Sequence, residues 1–313
     1  MTTQIGLALP RCINIRLIPK ILVVDLDTLT ALDALLWLRT GEEVQRRFGI
    51  GPSTLSRQCR KCLNIFGLAL ERIDGEWNTI GDTSELSLER YVHQTARFME
   101  YRPLRLEATY WSGPLLCTPA PLRWELGLAN IVGIARNLYL VRERIVDAWV
   151  ASFPDVPTDD DGEFASIALS SMPVFFVANP EHPLAGKSSI SITDIAEYPT
   201  LGLPAGSYPK VEKSLRSIGL WNDYVRMSRY RRDKWEGKSE SELTIGYGTA
   251  LSMEVSGGSL VRLPLNLPFN AGEAIVVRKE YLNHPAIFAL RNSLLARLQV
   301  FADQKSEIRL FHQ

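Results

Sequence analysis

The 313-residue sequence is poor in the residues that catalysis and metal binding use most. It has only four histidines, and none belongs to an H-E-x-x-H motif or lies beside a G-x-S-x-G motif. Neither a P-loop nor a G-x-G-x-x-G turn after a strand is present. The sequence therefore predicts a protein that is not an enzyme and that uses no cofactor.

Cysteine is equally scarce. The four cysteines, Cys12, Cys59, Cys62 and Cys117, lack the paired spacing of a zinc ribbon, and no histidine is near enough in sequence to complete a site. We therefore predict no bound metal and expect reduced thiols, as in a cytoplasmic protein.

The chain also lacks excess charge and a long apolar run. Its formal net charge is zero, so any contact with nucleic acid must come from local basic clusters. Arg11, Arg16 and Lys20 divide the stretch Ile5 to Leu26 into apolar pieces well short of the roughly 20 apolar residues of a membrane span, and the stretch lacks a signal-peptide pattern. Residues 1–26 are interpreted as an N-terminal extension to which no role is assigned, and the rest as a soluble chain of two or three domains.

A helix-turn-helix is the first recognisable unit. Apolar residues recur at helical spacing from Asp27 to about Thr40, and Gly41 to Phe48 predicts a second helix. Gly49 and Gly51 permit a sharp reversal, and Pro52 suits the first position of a third helix.

The third helix has one apolar and one polar face. Leu55, Cys59, Cys62 and Phe66 form an apolar stripe, and residues 41–61 hold five basic side chains against two acidic ones. A basic polar face of this kind suits phosphates and base edges. Together with the wing below, it predicts a set of DNA-contacting residues: Pro52, Ser53, Thr54, Ser56, Arg57, Arg60, Lys61 and Arg72.

A hairpin and a longer helix follow. Leu68 to Trp77 predicts two short strands around an Asp-Gly turn, as in the wing of a winged helix. From Asp82 to about Tyr101 the pattern predicts a helix with a dimer-forming apolar seam, made by Leu88, Tyr91, Thr95 and Phe98.

After Pro103 strands and helices alternate, which is typical of an α/β domain. Within it we predict a surface loop at Asp155 to Glu163 and a helix at Glu242 to Met253. The run Val225 to Lys238 holds six basic and two acidic residues, and could be an anion or nucleic-acid site or a solvated strand and loop. The solvated strand and loop is the preferred interpretation.

Four segments, in this order along the chain, resemble the LysR-type transcription regulators. Phe48 to Gln58 is similar to the turn and recognition helix of that family, and Val174 to Gly186 to the strand that crosses between its lobes. Leu201 to Ser207 looks like the loop at the mouth of the effector cleft, and Leu260 to Leu265 like the start of the return crossover.

The resemblance implies an α/β fold with an N-terminal winged helix-turn-helix, a linker helix and a two-lobed, periplasmic-binding-protein-like (Rossmann-like) effector domain. The expected boundaries are 27–81, 82–102 and 103–313, with the first lobe at about 103–173 and 267–313 and the second at 174–266. Between the lobes we expect the effector-binding residues Ser112, Gly113, Ser152, Ala205, Gly206, Ser207, Tyr247 and Thr249.

The function implied is sequence-specific regulation of transcription, switched by a small anionic or aromatic effector. The expected partners are double-stranded DNA, the effector, and a second copy of the chain in a homodimer or homotetramer, with no membrane. Two alternatives stay open: a two-lobed small-molecule binding protein, and a ligand-independent regulator that uses its C-terminal domain only for oligomerisation.

Overall fold

The computed structural model describes residues 25–220 and 224–312. Residues 1–24, which make up most of the predicted N-terminal extension, lie outside the described residues. No helix in the two described ranges is both long enough and apolar enough to cross a membrane.

The N-terminal unit has three helices and a two-stranded hairpin. Its elements are α1 (Leu26–Leu38), α2 (Gly41–Phe48), α3 (Pro52–Phe66), β1 (Ala69–Ile73) and β2 (Glu76–Ile80). The Asp25 side chain caps α1 by accepting a hydrogen bond from the Thr28 amide, and Gly49 ends α2 in the left-handed conformation that glycine tolerates best. The predicted helix-turn-helix and wing are confirmed as structural elements.

Helix α4 (Ser84–Phe98) differs from its prediction in the face that it buries. Phe98, expected in a seam between two chains, is buried within the chain and stacks on Tyr281 with ring centroids 3.8 Å apart. Leu88 is 70% exposed, and Tyr91 is also exposed. The face that packs inward is polar instead, because its arginine side chains find carboxylates in the neighbouring elements.

The rest of the chain builds two sheets. The first has the order β4-β3-β5-β10-β6, in which β3 is parallel to β4 and β5 while β10 is antiparallel to β5 and β6. Its strands are β3 (Leu104–Ala108), β4 (Trp124–Leu126), β5 (Ala148–Ser152), β6 (Phe164–Ala168) and β10 (Glu273–Arg278). The helices associated with this lobe are α5 (Ser112–Leu116), α6 (Ile134–Arg142) and α11 (Pro285–Ala302).

In the second sheet, β7 (Ser170–Ala178) pairs antiparallel with each of its neighbours. These are β8 (Gly246–Gly248), β9 (Val261–Ala271) and β11 (Arg309–Leu310). The helices of this lobe are α7 (Ile192–Ala196), α8 (Pro209–Ser217), α9 (Glu236–Ser241) and α10 (Ser252–Ser256). The lobe boundaries stay a prediction, although β9 keeps its pairing with β7 as far as Ala271.

One predicted helix is wrong. Glu242 to Met253 does not form a helix; this stretch contains β8 and leads into α10. Gly246 and Gly248 explain the difference, because glycine disfavours helix and because an added Cβ at Gly248 would lie 2.9 Å from the Val177 side chain of β7.

The N-terminal unit packs directly on the first lobe. Leucines of α1 share one hydrophobic core with Ile131, Leu140 and Val146. The Trp37 indole donates a hydrogen bond of 2.7 Å to the Glu107 carboxylate in β3. The two units are therefore joined by buried apolar and polar contacts in this conformation.

Arg90 of α4 is the most deeply buried charge at this junction. Its guanidinium binds Asp33 of α1 at 2.9 Å and Glu143, which follows α6, at 2.8 Å. Burial alone would lower the pKa of Arg90, but neighbouring groups, Asp33 foremost, raise it above its ordinary value. One arginine thus holds together the N-terminal unit, α4 and the first lobe.

We expect the Arg90→Ala variant to lose about 3–5 kcal/mol of unfolding free energy, because it removes the nearest cation of the buried Asp33 carboxylate and also the partner of Glu143. Urea denaturation followed by circular dichroism measures the loss. Arg46→Ala, which removes an exposed i,i+3 pair with Glu43, is the control and should cost less than about 1 kcal/mol. Equal losses in the two variants would contradict the role assigned to Arg90.

Candidate functional site

Helix α3 presents the predicted DNA-contacting residues on one surface. Leu55, Cys59 and Cys62 are buried against α1 and α2. The opposite face exposes Pro52, Ser53, Ser56, Arg57, Arg60 and Lys61, with Thr54 half-buried. The helical repeat therefore brings seven of the eight predicted residues to one solvent-facing patch. Their contact with DNA stays a prediction.

Two members of the predicted set have partners within the chain. Lys61 binds the Asp25 carboxylate at 2.8 Å, and this hydrogen bond lowers the pKa of Asp25 to about 2. Arg72, the eighth residue, lies on the wing, donates to the Gly75 carbonyl oxygen at 3.0 Å and lies 5.7 Å from the Trp77 ring centroid. Arg72 therefore also stabilises the hairpin turn.

The acidic wing residue Glu76 binds the second lobe. Arg229 binds the Glu76 carboxylate through two nitrogen atoms, each 2.7 Å from a carboxylate oxygen. Both side chains are mostly buried. Arg229 also donates to the Asn130 side chain at 3.0 Å. This bidentate pair connects the wing to the effector domain.

Sequence reasoning missed Arg229 because it belongs to the run Val225 to Lys238, which was interpreted as a solvated strand and loop. The preference for a solvated surface is wrong at three positions: Arg229, Trp235 and Glu236 are buried. The signal that could have found them is the alternation of Tyr230 and Trp235 with the charges, since large aromatic residues in a charged run indicate packing.

A cavity of about 140 Å³ lies between the two lobes. Three of the predicted effector-binding residues, Ser152, Tyr247 and Thr249, line it. Most of the remaining wall is aromatic or aliphatic, and the aromatic part comprises Tyr110, Trp111, Phe153, Tyr208, Tyr230, Trp235 and Phe269. This aromatic wall was not predicted, because its members come from separate segments that meet only after folding.

The other five predicted effector residues lie outside the cavity wall. Ser112 is fully buried and accepts a hydrogen bond of 2.8 Å from the Thr109 hydroxyl. A Cβ at Gly113 would lie 2.3 Å from the Ala129 Cβ, so this glycine allows close packing. In the opposite loop Ala205 and Gly206 are exposed, and the Ser207 carbonyl accepts from the Ile134 amide at 2.9 Å. These residues serve packing, a turn and contact between the lobes.

Two tyrosines of the cavity wall connect the lobes. Tyr110 of the first lobe stacks on Tyr230 of the second with ring centroids 3.7 Å apart, and both hydroxyls donate to the Glu236 carboxylate. Burial, followed by the nearby Glu236 charge, raises the pKa of Tyr110 well above its ordinary value. Both tyrosines are therefore hydrogen-bond donors that hold the lobes together.

The comparisons with known proteins agree with this architecture. Full-length OxyR from Pseudomonas aeruginosa, in a variant form, is 18% identical, with a TM-score of 0.51 over 85% of this chain and 94% of that chain. A mutant OxyR from Corynebacterium glutamicum is 13% identical, with a TM-score of 0.52 over 90% and 94%. A second mutant of that protein, bound to H2O2, is 13% identical, with a TM-score of 0.51 over 91% and 96%. At these identities the likeness shows the fold.

The fold is therefore the one that these OxyR structures share, with a helix-turn-helix unit and a two-lobed domain. Residues 133–227 match the LysR substrate binding domain family, so the resemblance to LysR-type regulators that the sequence motifs indicate is confirmed. No curated protein matches the chain in sequence.

The three cysteines within the described ranges are free and buried. Burial raises the pKa of each thiol, Cys59, Cys62 and Cys117, to about 12. Because the thiolate is the reactive form, these cysteines are poor nucleophiles at neutral pH.

We expect these three thiols to resist DTNB at pH 8 in the folded protein and to react once guanidinium chloride unfolds it. The pH lies well below a pKa of about 12, so the protonated form dominates while the chain is folded. The measurement uses Cys12→Ser, so that every reacting thiol comes from the described residues. Rapid reaction of one or more thiols in the folded variant would disprove the expectation.

Proposed function

We propose that the chain is a cytoplasmic, sequence-specific DNA-binding transcription regulator whose activity depends on a small molecule bound between its lobes. The observation that carries the proposal is the exposed basic face of α3 in a helix-turn-helix unit joined to a domain with an interlobe cavity. A helix of this kind places its N-terminal residues on base edges in the major groove, while longer cations reach phosphates. No catalytic role is proposed.

The Arg57→Ala variant tests DNA contact. Arg57 is exposed on α3, so its loss should weaken binding to the operator by about 5- to 150-fold, the range that corresponds to 1–3 kcal/mol, without lowering the melting temperature. Electrophoretic mobility shifts with promoter fragments from the protein's own and neighbouring genes, at fixed salt, give the affinity. Arg309→Ala removes the same charge from an exposed position on β11 and should bind as the wild type does. If both variants bind DNA equally well, α3 is not the recognition helix.

The proposed regulator is a homodimer or homotetramer that pairs through α4. Since Phe98 is buried within the chain, the seam shifts to the exposed face that carries Leu88, Tyr91, Val92 and Met99. These residues follow one another at intervals of three, one and seven, which keeps them on one side of the helix. Two such helices can bury this apolar surface against each other.

Sedimentation velocity tests the seam. Leu88→Lys places a charge at its centre and should shift the protein from dimer to monomer at micromolar concentration. Leu122→Lys is the matched control, because Leu122 is 90% exposed outside α4. If Leu88→Lys keeps the oligomeric state of the wild type, the interface does not lie on this face of α4.

The wall of the cavity offers a route from effector to wing. The amides of Val132 and Tyr230 donate to the carbonyl oxygens of Ser228 and Asn130, so two short segments pair beside the cavity. Val132 and Tyr230 line the cavity, and Arg229, between Ser228 and Tyr230, binds Glu76 on the wing. A ligand that moves this pair of segments would act on the wing directly, provided that it binds the two arrangements with different affinity.

Two specific observations separate this function from alternatives. The cavity favours effector binding over a C-terminal domain used only for assembly, since a purely oligomerising domain needs no such space. The exposed basic helix favours a regulator over a simple small-molecule binding protein. Peroxide sensing through a thiol, suggested by the H2O2-bound relative, is not proposed, because the described cysteines are buried and have a raised pKa.

A further inference from the structure

Asp155 connects the two lobes beside the cavity. It follows β5 in the first lobe, and its carboxylate accepts hydrogen bonds from the Lys210 amide at 2.8 Å and the Val211 amide at 3.0 Å in the second lobe. The Lys210 ammonium donates back to the Val156 carbonyl oxygen at 3.0 Å. Asp155 is 2% exposed and Val156 is also buried, so the predicted surface loop from Asp155 to Glu163 is wrong at its first two residues.

These two amides are the donors at the start of helix α8 that have no partner within the helix. Pro209 occupies the first helical position and has no N–H, and the Glu212 amide already bonds to the Tyr208 carbonyl oxygen. The N-terminus of a helix stabilises an anion through such donors and through the helix dipole. In this chain the Asp155 carboxylate is that anion.

Among the described residues, the cavity wall contains no cation that would stabilise a second negative charge. Asp155 and Val211 both line the cavity, and among the described residues of its wall Asp155 alone carries a charged side chain. The other polar side-chain groups of the wall are uncharged: the hydroxyls of its serines, threonine and tyrosines and the indole N–H groups of its tryptophans. A ligand carboxylate here would lose water, find no cation and lie near the Asp155 carboxylate, and each of these effects disfavours binding.

A cationic ligand is disfavoured for a different reason. Both Asp155 oxygens already accept amide hydrogens, and the positive end of the α8 dipole offsets the carboxylate charge. The wall is otherwise apolar with a few hydroxyls, which suits an uncharged ring that carries one polar group. The volume of about 140 Å³ sets the size, because an apolar cavity of roughly 150 Å³ accepts benzene.

We propose that Asp155 occupies the position where an anionic effector would bind, so that the interlobe cavity selects an uncharged ligand built on one aromatic ring. This inference rests on the proposed function only in taking the cavity as the effector site. It narrows the expected effector, anionic or aromatic, to the uncharged aromatic class.

Three probes of nearly equal size test the ligand class on the full-length protein. Isothermal titration calorimetry with benzamide, benzoate and benzylamine should give benzamide an affinity at least ten-fold higher than that of either charged probe. A benzoate or benzylamine affinity equal to or above that of benzamide overturns the proposal. Absence of measurable benzamide binding overturns it as well.

A variant tests the position of the anion itself. Asp155→Ala empties the start of α8, so formate and acetate at tens of millimolar should raise its melting temperature by several degrees more than sodium chloride at equal ionic strength does. Benzoate should also bind this variant at least ten-fold more tightly than it binds the wild type. Asp159→Ala, which removes an exposed carboxylate from the same loop, should respond as the wild type does.

If Asp155→Ala shows no greater response to these anions than Asp159→Ala, the assignment of Asp155 fails. Should Asp155→Ala not fold, Asp155→Asn keeps the shape and removes the charge, and its benzoate affinity should still exceed that of the wild type. These assays contain no DNA, so loss of operator binding would leave them interpretable. Operator binding together with a preference for benzoate would overturn this inference alone.

Discussion

The buried polar face of α4 is the constraint on which the arrangement of the chain depends. Arg97 binds both carboxylate oxygens of Asp147 at 2.8 Å, and Gln94 donates to the same carboxylate at 3.0 Å. The Arg105 amide completes the set at 2.8 Å. Buried charges of this kind are stable only with all partners present, so the linker helix has one position on the first lobe rather than a range of positions. That position in turn fixes where the N-terminal unit packs and leaves an apolar face of α4 exposed.

The same polar junctions connect the N-terminal unit to both lobes that enclose the cavity. Glu76 and Trp37 belong to the N-terminal unit, and their partners Arg229 and Glu107 lie in different lobes. A change in the angle between the lobes therefore cannot leave both contacts unchanged. Because losing one partner of a buried charged pair costs more than losing a surface contact, small lobe movements can carry free energies of the 1–3 kcal/mol scale typical of coupling between sites.

Local patterns predicted the N-terminal unit well, and tertiary contacts explain what they missed. The bounds of α2 and the start of α3 follow from Thr40, Gly49 and Pro52, whose capping and backbone preferences act over a few residues. The seam on α4 was wrong at Phe98, because helical spacing does not reveal which apolar residues a distant Tyr281 will cover. The cavity was predicted in part, at Ser152, Tyr247 and Thr249. Asp155 and Arg229 could not be assigned, since their partners lie about 55 and 153 residues away along the chain.

The contact between Asp155 and α8 also bears on how ligand preference can diverge. Its amide donors belong to the backbone, which no side-chain substitution removes, whereas the carboxylate belongs to a connecting segment after β5. A single nucleotide change that turns Asp155 into a small residue such as Ala or Gly would therefore leave the two amides without their carboxylate and available to the anion of a ligand. A change of ligand preference from an uncharged to an anionic molecule would then require one substitution rather than a redesigned pocket.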